Sequence, residues 1–137
     1  MQTFLPLPDF EASLACLDTK RLGKQRVEAA QLISVIKEPY KNGKLRAWAN
    51  HPAARMWKNN LDALKLYFNW SIIVWESRGY TNNYPFEEVP AKYALPWWWG
   101  NKEFHDSHKS NLLRKDYKHY SQFGWDVANN LPYIWPE

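Results

Sequence analysis

Between Pro52 and Gly79 the chain carries Trp57, Leu61, Leu64, Phe68, Ile72 and Trp75 at intervals of four, three, four, four and three residues. That repeat marks one face of an α-helix, which has to be buried against a partner. Tyr67, Trp70, Ile73 and Val74 widen the apolar surface beyond a single stripe. Pro52 suits a first helical turn and Gly79 the position just past a last one. The pattern therefore predicts one long helix, about 40 Å from end to end at 1.5 Å per residue, with neighbours on several sides.

The remaining helices follow from their end signals. Asp9 is a candidate N-cap for a short helix reaching Leu17, and Asp18 or Thr19 caps a second that runs to about Glu38. Pro39 and the polar YKNGK stretch end it. Residues 80–101 hold Pro85, Pro90 and Pro96 before Trp97-Trp98-Trp99-Gly100 and read as an ordered surface loop. A last helix covers about 102–120, and the tail NNLPYIWPE either packs back through its aromatics or trails away. No alternating strand pattern is evident. The expected fold is all-α: a compact single-domain helical bundle over residues 1–137, with a long central helix and extended aromatic loops. No apolar run approaches the length of a membrane span. The lone Cys16 and an N-terminus without signal-peptide character predict a reducing, cytoplasmic setting.

The net charge of +4 is unevenly spread. Residues 19–46 carry eight bases against Glu28 and Glu38, and residues 101–120 add a further excess of base together with three of the four histidines. A segregated basic excess suits an anionic partner such as nucleic acid or a nucleotide, although a solvated helix face has the same signature. Nine Trp and eight Tyr exceed what so small a core needs. Exposed rings among bases can stack on nucleobases, which makes Trp97, Trp98 and Trp99 candidate stacking residues.

Two polar constellations stand out. On a wheel of the second helix the apolar arc runs through Leu22, Ala29, Leu32, Ile33 and Ile36. Gln25 falls inside that arc, while Arg21 and Glu28 lie on its edge. The three make a polar stripe at i, i+4 and i+7 that either faces a cleft or finishes the helix surface as an Arg–Glu pair. In the segment HDSHKSNLLRKDYKHY, the residues His105, His108, Asn111 and Arg114 recur every three positions, with Lys115 close by. His-x-x-His without a third ligand is a poor zinc signature, so no metal is expected. Amide and cationic donors on one face suit phosphate oxygens and base edges better. No phosphate-cradling glycine loop, hydrolase elbow or zinc-deaminase motif is present. Cys16 reads as a small buried hydrophobe or a nucleophile.

The segments LDTKRLGKQRVEAAQLI, NLDALKLYFNWSIIVWESRGY and HKSNLLRKDYKHYSQFG are similar, in order and spacing, to the pyrimidine-dimer DNA glycosylases of the phage endonuclease V type. They also resemble a group of bacterial and phage proteins that open with MQTFLP. The resemblance implies a small all-α domain that needs no cofactor. It implies removal of a damaged base by an N-terminal α-amine attacking the sugar C1′, followed by strand cleavage through β-elimination. The position of the family's catalytic glutamate looks like Glu28, two residues after Arg26. Arg21 and Arg26 would then hold phosphates or a flipped base, with Lys24 as a peripheral backbone contact and the aromatic loop as a wedge or stacking surface.

The chain departs from the family at its first residues. The nucleophile there is the amine of a Thr exposed by loss of the initiator Met, whereas here Gln2 follows Met1. The arginine–glutamate spacing also differs by one residue. A terminal Met1 still offers a primary amine, and α-amines are partly unprotonated near neutrality. Two functions follow as expectations. One is a DNA-lesion N-glycosylase, with or without lyase activity, that uses Met1 and Glu28 on damaged DNA. The other is a non-catalytic protein that sequesters a nucleotide or cyclic nucleotide in the same basic pocket.

Overall fold

A computed structural model describes residues 1–136. Its helices are α1 (Phe10–Ala15), α2 (Thr19–Lys37), α3 (Pro52–Trp57), α4 (Leu61–Ser77), α5 (Lys102–Lys115) and α6 (Tyr117–Tyr120). Asp9 caps α1 by accepting from the Ala12 N–H at 2.7 Å, and Asp18 caps α2 by accepting from the Arg21 N–H at 3.3 Å. Both caps supply an oxygen to a first-turn N–H that has no partner within its helix.

The central packing is α2 against α4, with α1 across α4 as well. Leu22, Ala29, Leu32 and Ile33 meet Ala63, Leu64, Phe68 and Ile72 in one buried cluster. The two helices approach closely at Gly23, where an added Cβ would lie 2.9 Å from the Trp75 ring. Arg78 ties the end of α4 to α1: its guanidinium donates to Ala15 O at 3.0 Å and Leu17 O at 2.7 Å.

Three expectations are corrected. The long helix is two helices, interrupted at Lys58–Asn60. Asn side chains compete with helical backbone bonding, and Asn60 leaves helical geometry at φ −137° and ψ 51° while its amide donates to Ala94 O. The last helix also breaks: Asp116 is extended at φ −153° and caps α6 by accepting from the His119 N–H at 3.2 Å. The YKNGK stretch, finally, is more than a terminator. It forms a two-stranded antiparallel hairpin, β1 (Tyr40–Lys41) and β2 (Lys44–Leu45), on an otherwise helical fold.

The C-terminal tail packs back on α5. Leu131 N–H donates to Ser110 Oγ at 2.9 Å, Ile134 N–H to Ser107 Oγ at 3.3 Å, and the Tyr133 ring stacks on His108 with centroids 4.7 Å apart. No helix among the described residues is long and apolar enough to cross a membrane.

Candidate active site

The first five residues run as an extended strap past α2 and α5, and buried polar side chains grip it residue by residue. Gln2 N–H donates to Glu28 Oε2 at 2.9 Å. Phe4 N–H donates to Gln25 Oε1 at 2.8 Å, and Leu5 N–H to His108 Nδ1 at 2.8 Å. Trp57 Nε1–H reaches Thr3 Oγ1 at 2.9 Å. The Tyr67 hydroxyl, 2.7 Å from Gln25 Oε1 and 2.9 Å from Phe4 O, shares its proton between them. Extended backbone without a sheet partner leaves its amides unpaired, and these side chains supply the missing acceptors and donors.

The two histidines belong to this grip. His105 Nε2 accepts from Gly100 N–H at 3.0 Å, so its Nδ1 carries the proton and donates to Leu5 O at 2.7 Å. His108 Nδ1 is an acceptor, which leaves its proton on Nε2, a buried atom without a hydrogen-bond partner among the described residues. Burial depresses the pKa of both rings, His108 to about 3, and a nearby His105 adds to the effect. Both are neutral at pH 7 and hold the strap from below; neither lines the recess described next.

Above the strap lies a recess of about 240 Å³ lined by Met1, Gln2, Lys20, Arg21, Lys24, Glu28 and Lys115, with Phe4 and Gln25 at its floor. Glu28, whose side chain is 12% exposed, is its carboxylate, and Lys24 Nζ stands 3.9 Å from Glu28 Oε1 on a side chain that is 71% exposed. Arg21 pairs with Asp18 at 3.1 Å. The Asp18 pKa is lowered against its own desolvation, by hydrogen bonds from Tyr120 and Arg21 and the Arg21 charge. The recess thus joins one largely buried carboxylate, a primary amine and several cations. That set can stabilise a positive sugar centre and its flanking phosphates at once.

The other expected site residues lie elsewhere. Arg26 turns away from Glu28: its guanidinium donates to Asn82 Oδ1 at 2.8 Å and covers the rings of Trp75 and Tyr84 at 5.0 and 5.2 Å. Arg114 fastens the tail through Asn129 O and Leu131 O, at 3.0 and 2.8 Å. Asn111 reaches the edge of the strap, donating to Gln2 Oε1 at 3.2 Å. Of the three consecutive tryptophans, Trp98 is buried with its Nε1–H toward Met56 O, and Trp99 packs on Phe10 at 4.5 Å. Trp97 alone presents its ring to solvent, at 74% exposure. Among the described residues no three His, Cys, Asp or Glu side chains gather as a metal site, and Cys16 is buried with its pKa pushed up to about 12 by desolvation.

His51 stands outside both polar constellations of the sequence. Its Nδ1 accepts from Ala53 N–H at 3.0 Å to cap α3, and its ring meets Trp48 and Trp135. Its pKa is lowered by burial, by the Met1 α-amine and by Arg55, with Glu28 opposing them, so the ring shares its electrostatic surroundings with the site's amine and carboxylate. The available signal was His-Pro at a helix start, which by itself reads only as a cap.

A family model described as pyrimidine dimer DNA glycosylase matches residues 1–88, the stretch that holds the strap, α1 to α4 and Glu28. Searches of curated proteins and of solved structures give no significant match. With about two thirds of its length covered by that model, the chain belongs to the pyrimidine dimer DNA glycosylase family, whose members act on damaged DNA.

Proposed function

We propose that the protein removes a damaged pyrimidine from DNA with the Met1 α-amine as nucleophile and Glu28 as the proton-handling carboxylate, and then nicks the strand. The observation that supports this reading most is the bond from Gln2 N–H to Glu28 Oε2 at 2.9 Å, because a grip on the second residue leaves the first little freedom to stray from the carboxylate. Such restraint is the proximity term of catalysis.

The amine nitrogen bonds to C1′ as the C1′–base bond breaks, and the base leaves with the bonding pair. Glu28 offsets the positive charge on the sugar, accepts a proton from the attacking nitrogen and returns it to the ring oxygen as the C1′–O bond opens to an imine. Loss of a C2′ proton then expels the 3′ phosphate, and water hydrolyses the imine to regenerate the amine. Lys20, Arg21, Lys24 and Lys115 would hold the phosphates beside the extruded nucleotide.

Borohydride trapping tests this directly. With duplexes carrying a pyrimidine dimer or an abasic site, reductant should fix a covalent adduct that peptide mapping assigns to Met1. A free amine on Met1, read by intact mass and N-terminal sequencing, is required; absence of both adduct and cleavage across these lesions rejects the mechanism.

A second reading has one observation in its favour: Gln2 stands where the family exposes Thr, in a recess whose cations would suit a free nucleotide phosphate as well. Under it, the protein binds a nucleotide or cyclic nucleotide that is recovered intact, and Glu28→Gln leaves its affinity nearly unchanged. Recovery of altered ligand would exclude it.

A further inference from the structure

We propose that the β1–β2 hairpin is a second DNA-contact element, which seats backbone phosphates of the duplex flanking the recess along the outward face of α2. The proposal rests on the chain acting on DNA and adds a contact site outside the recess.

The hairpin pairs Lys41 directly with Lys44, and Tyr40 with Leu45. Like charges directly across a ladder destabilise it. Neither lysine has an ion-pair partner among the described residues. Lys37, just before the hairpin, is by contrast neutralised by Glu87 at 3.0 Å. Beside the two lysines, Tyr40 and Leu45 are 64% and 52% exposed. A two-stranded ribbon that projects a pair of unneutralised cations beside an exposed ring is suited to a polyanion with grooves.

The ribbon is also held stiffly. Asn42 and Gly43 both have positive φ, 54° and 75°, the tight turn that matches strand twist. At its base Arg46 donates to Ser34 O at 3.1 Å, Glu38 O at 3.0 Å and Ser34 Oγ at 3.0 Å, while Arg46 N–H bonds Pro39 O at 2.8 Å. A pre-positioned contact loses little entropy on binding.

The anchor points define its direction. Lys20, Lys24, Gln31, Ser34 and Glu38 are all exposed and follow one another by four, seven, three and four residues. Those intervals return to one helix face. The hairpin is therefore fastened to the same face of α2 that presents Lys20 and Lys24 at the recess. Ten residues separate Lys24 from Ser34, an axial distance of about 15 Å. Phosphate rows bordering the roughly 12 Å major groove are spaced on that scale.

The test is the salt dependence of duplex binding, measured by fluorescence anisotropy with an undamaged duplex and one carrying a tetrahydrofuran abasic analogue. Each phosphate contact contributes about 0.9 to the slope of log K against log salt. The double variant Lys41→Ser, Lys44→Ser should lower that slope by about 1.8, equally for both duplexes. Lys58→Ser, Lys92→Ser, which removes the same charge elsewhere, should leave the slope unchanged. Borohydride trapping by the hairpin variant at low salt and saturating protein should persist. An unaltered slope in the hairpin variant, with the unmodified protein still salt-sensitive, overturns the hairpin contact alone. An equal loss in the comparison variant overturns it too. Salt-independent binding by the unmodified protein would remove both the hairpin contact and the DNA reading beneath it.

Discussion

Gln25 satisfies two buried donors with one oxygen: the amide of Phe4 and the hydroxyl of Tyr67. Replacing it with Ala leaves the buried Phe4 N–H unpaired, at about 1–3 kcal/mol, while the Tyr67 hydroxyl keeps Phe4 O at 2.9 Å. Gln25→Ala should therefore unfold at lower denaturant, by about 1–3 kcal/mol, and an unchanged stability would show that the strap is held by other contacts. That Gln25 needs a partner is legible in its position inside an apolar arc. The partner is not, because a backbone amide at residue 4 leaves no side-chain pattern to read. His108 makes the same point with a titratable group. Its folded pKa is depressed to about 3, so the unfolded chain binds the proton first as pH falls below about 6.5. Its contribution is intact above that value and is lost progressively between about pH 6.5 and 3, at up to about 1.4 kcal/mol per pH unit. The melting temperature should drop across this range, and His108→Gln, which can still accept from Leu5 N–H, should flatten the drop. An equally steep drop in that variant would assign the acid sensitivity to another group.

At the scale of elements, what the sequence shows best is periodicity and what it hides is interruption. The stripe from Trp57 to Trp75 is real burial, yet it is carried by two helices because Lys58–Asn60 turns between them. Asn59 and Asn60 were the available warning. Asn42-Gly43 was a stronger one, being a preferred pair for a two-residue hairpin turn. Pro39 alone accounts for the end of α2, and so masks the turn signal that follows it. The α2–α4 contact was not visible in advance, since it depends on which face of each helix meets the other. Gly23 measures how close it is. Ala there gains up to about 1 kcal/mol in helix propensity, but its Cβ would lie 2.9 Å from a Trp75 ring. That ring is held by its bond to Thr81 O at 2.9 Å and its stack on Tyr80 at 4.4 Å. Overpacking at about 1–3 kcal/mol should win. Gly23→Ala is expected to lower the melting temperature and perturb the Trp fluorescence; a more stable protein would mean that the ring moves freely.

For the molecule as a whole, the histidine-rich α5 and the basic α2 meet at the N-terminal strap, and Lys115 at the end of α5 joins the α2 side chains in the recess while the histidines stay outside it. The histidines fix the strap from the core side while α2 supplies the charges above it. Position and chemistry can therefore be separated by experiment. Glu28→Gln retains an oxygen to accept from Gln2 N–H, so fold and strap should be preserved and duplex affinity should change little. It removes the negative charge and, under the proposed mechanism, the proton acceptor, worth about 10²–10⁴ in rate for a general acid–base group. Single-turnover excision should fall by that factor. A glycine added before Met1 tests the other half of the pair. It keeps a primary amine but displaces it by a residue from the Gln2–Glu28 bond, so trapping should fall much further than duplex binding. If the extended protein traps abasic DNA as fast as the original, the amine does not need the register set by the strap, and positioning of Met1 by Glu28, Gln25 and the two histidines is not what drives the reaction.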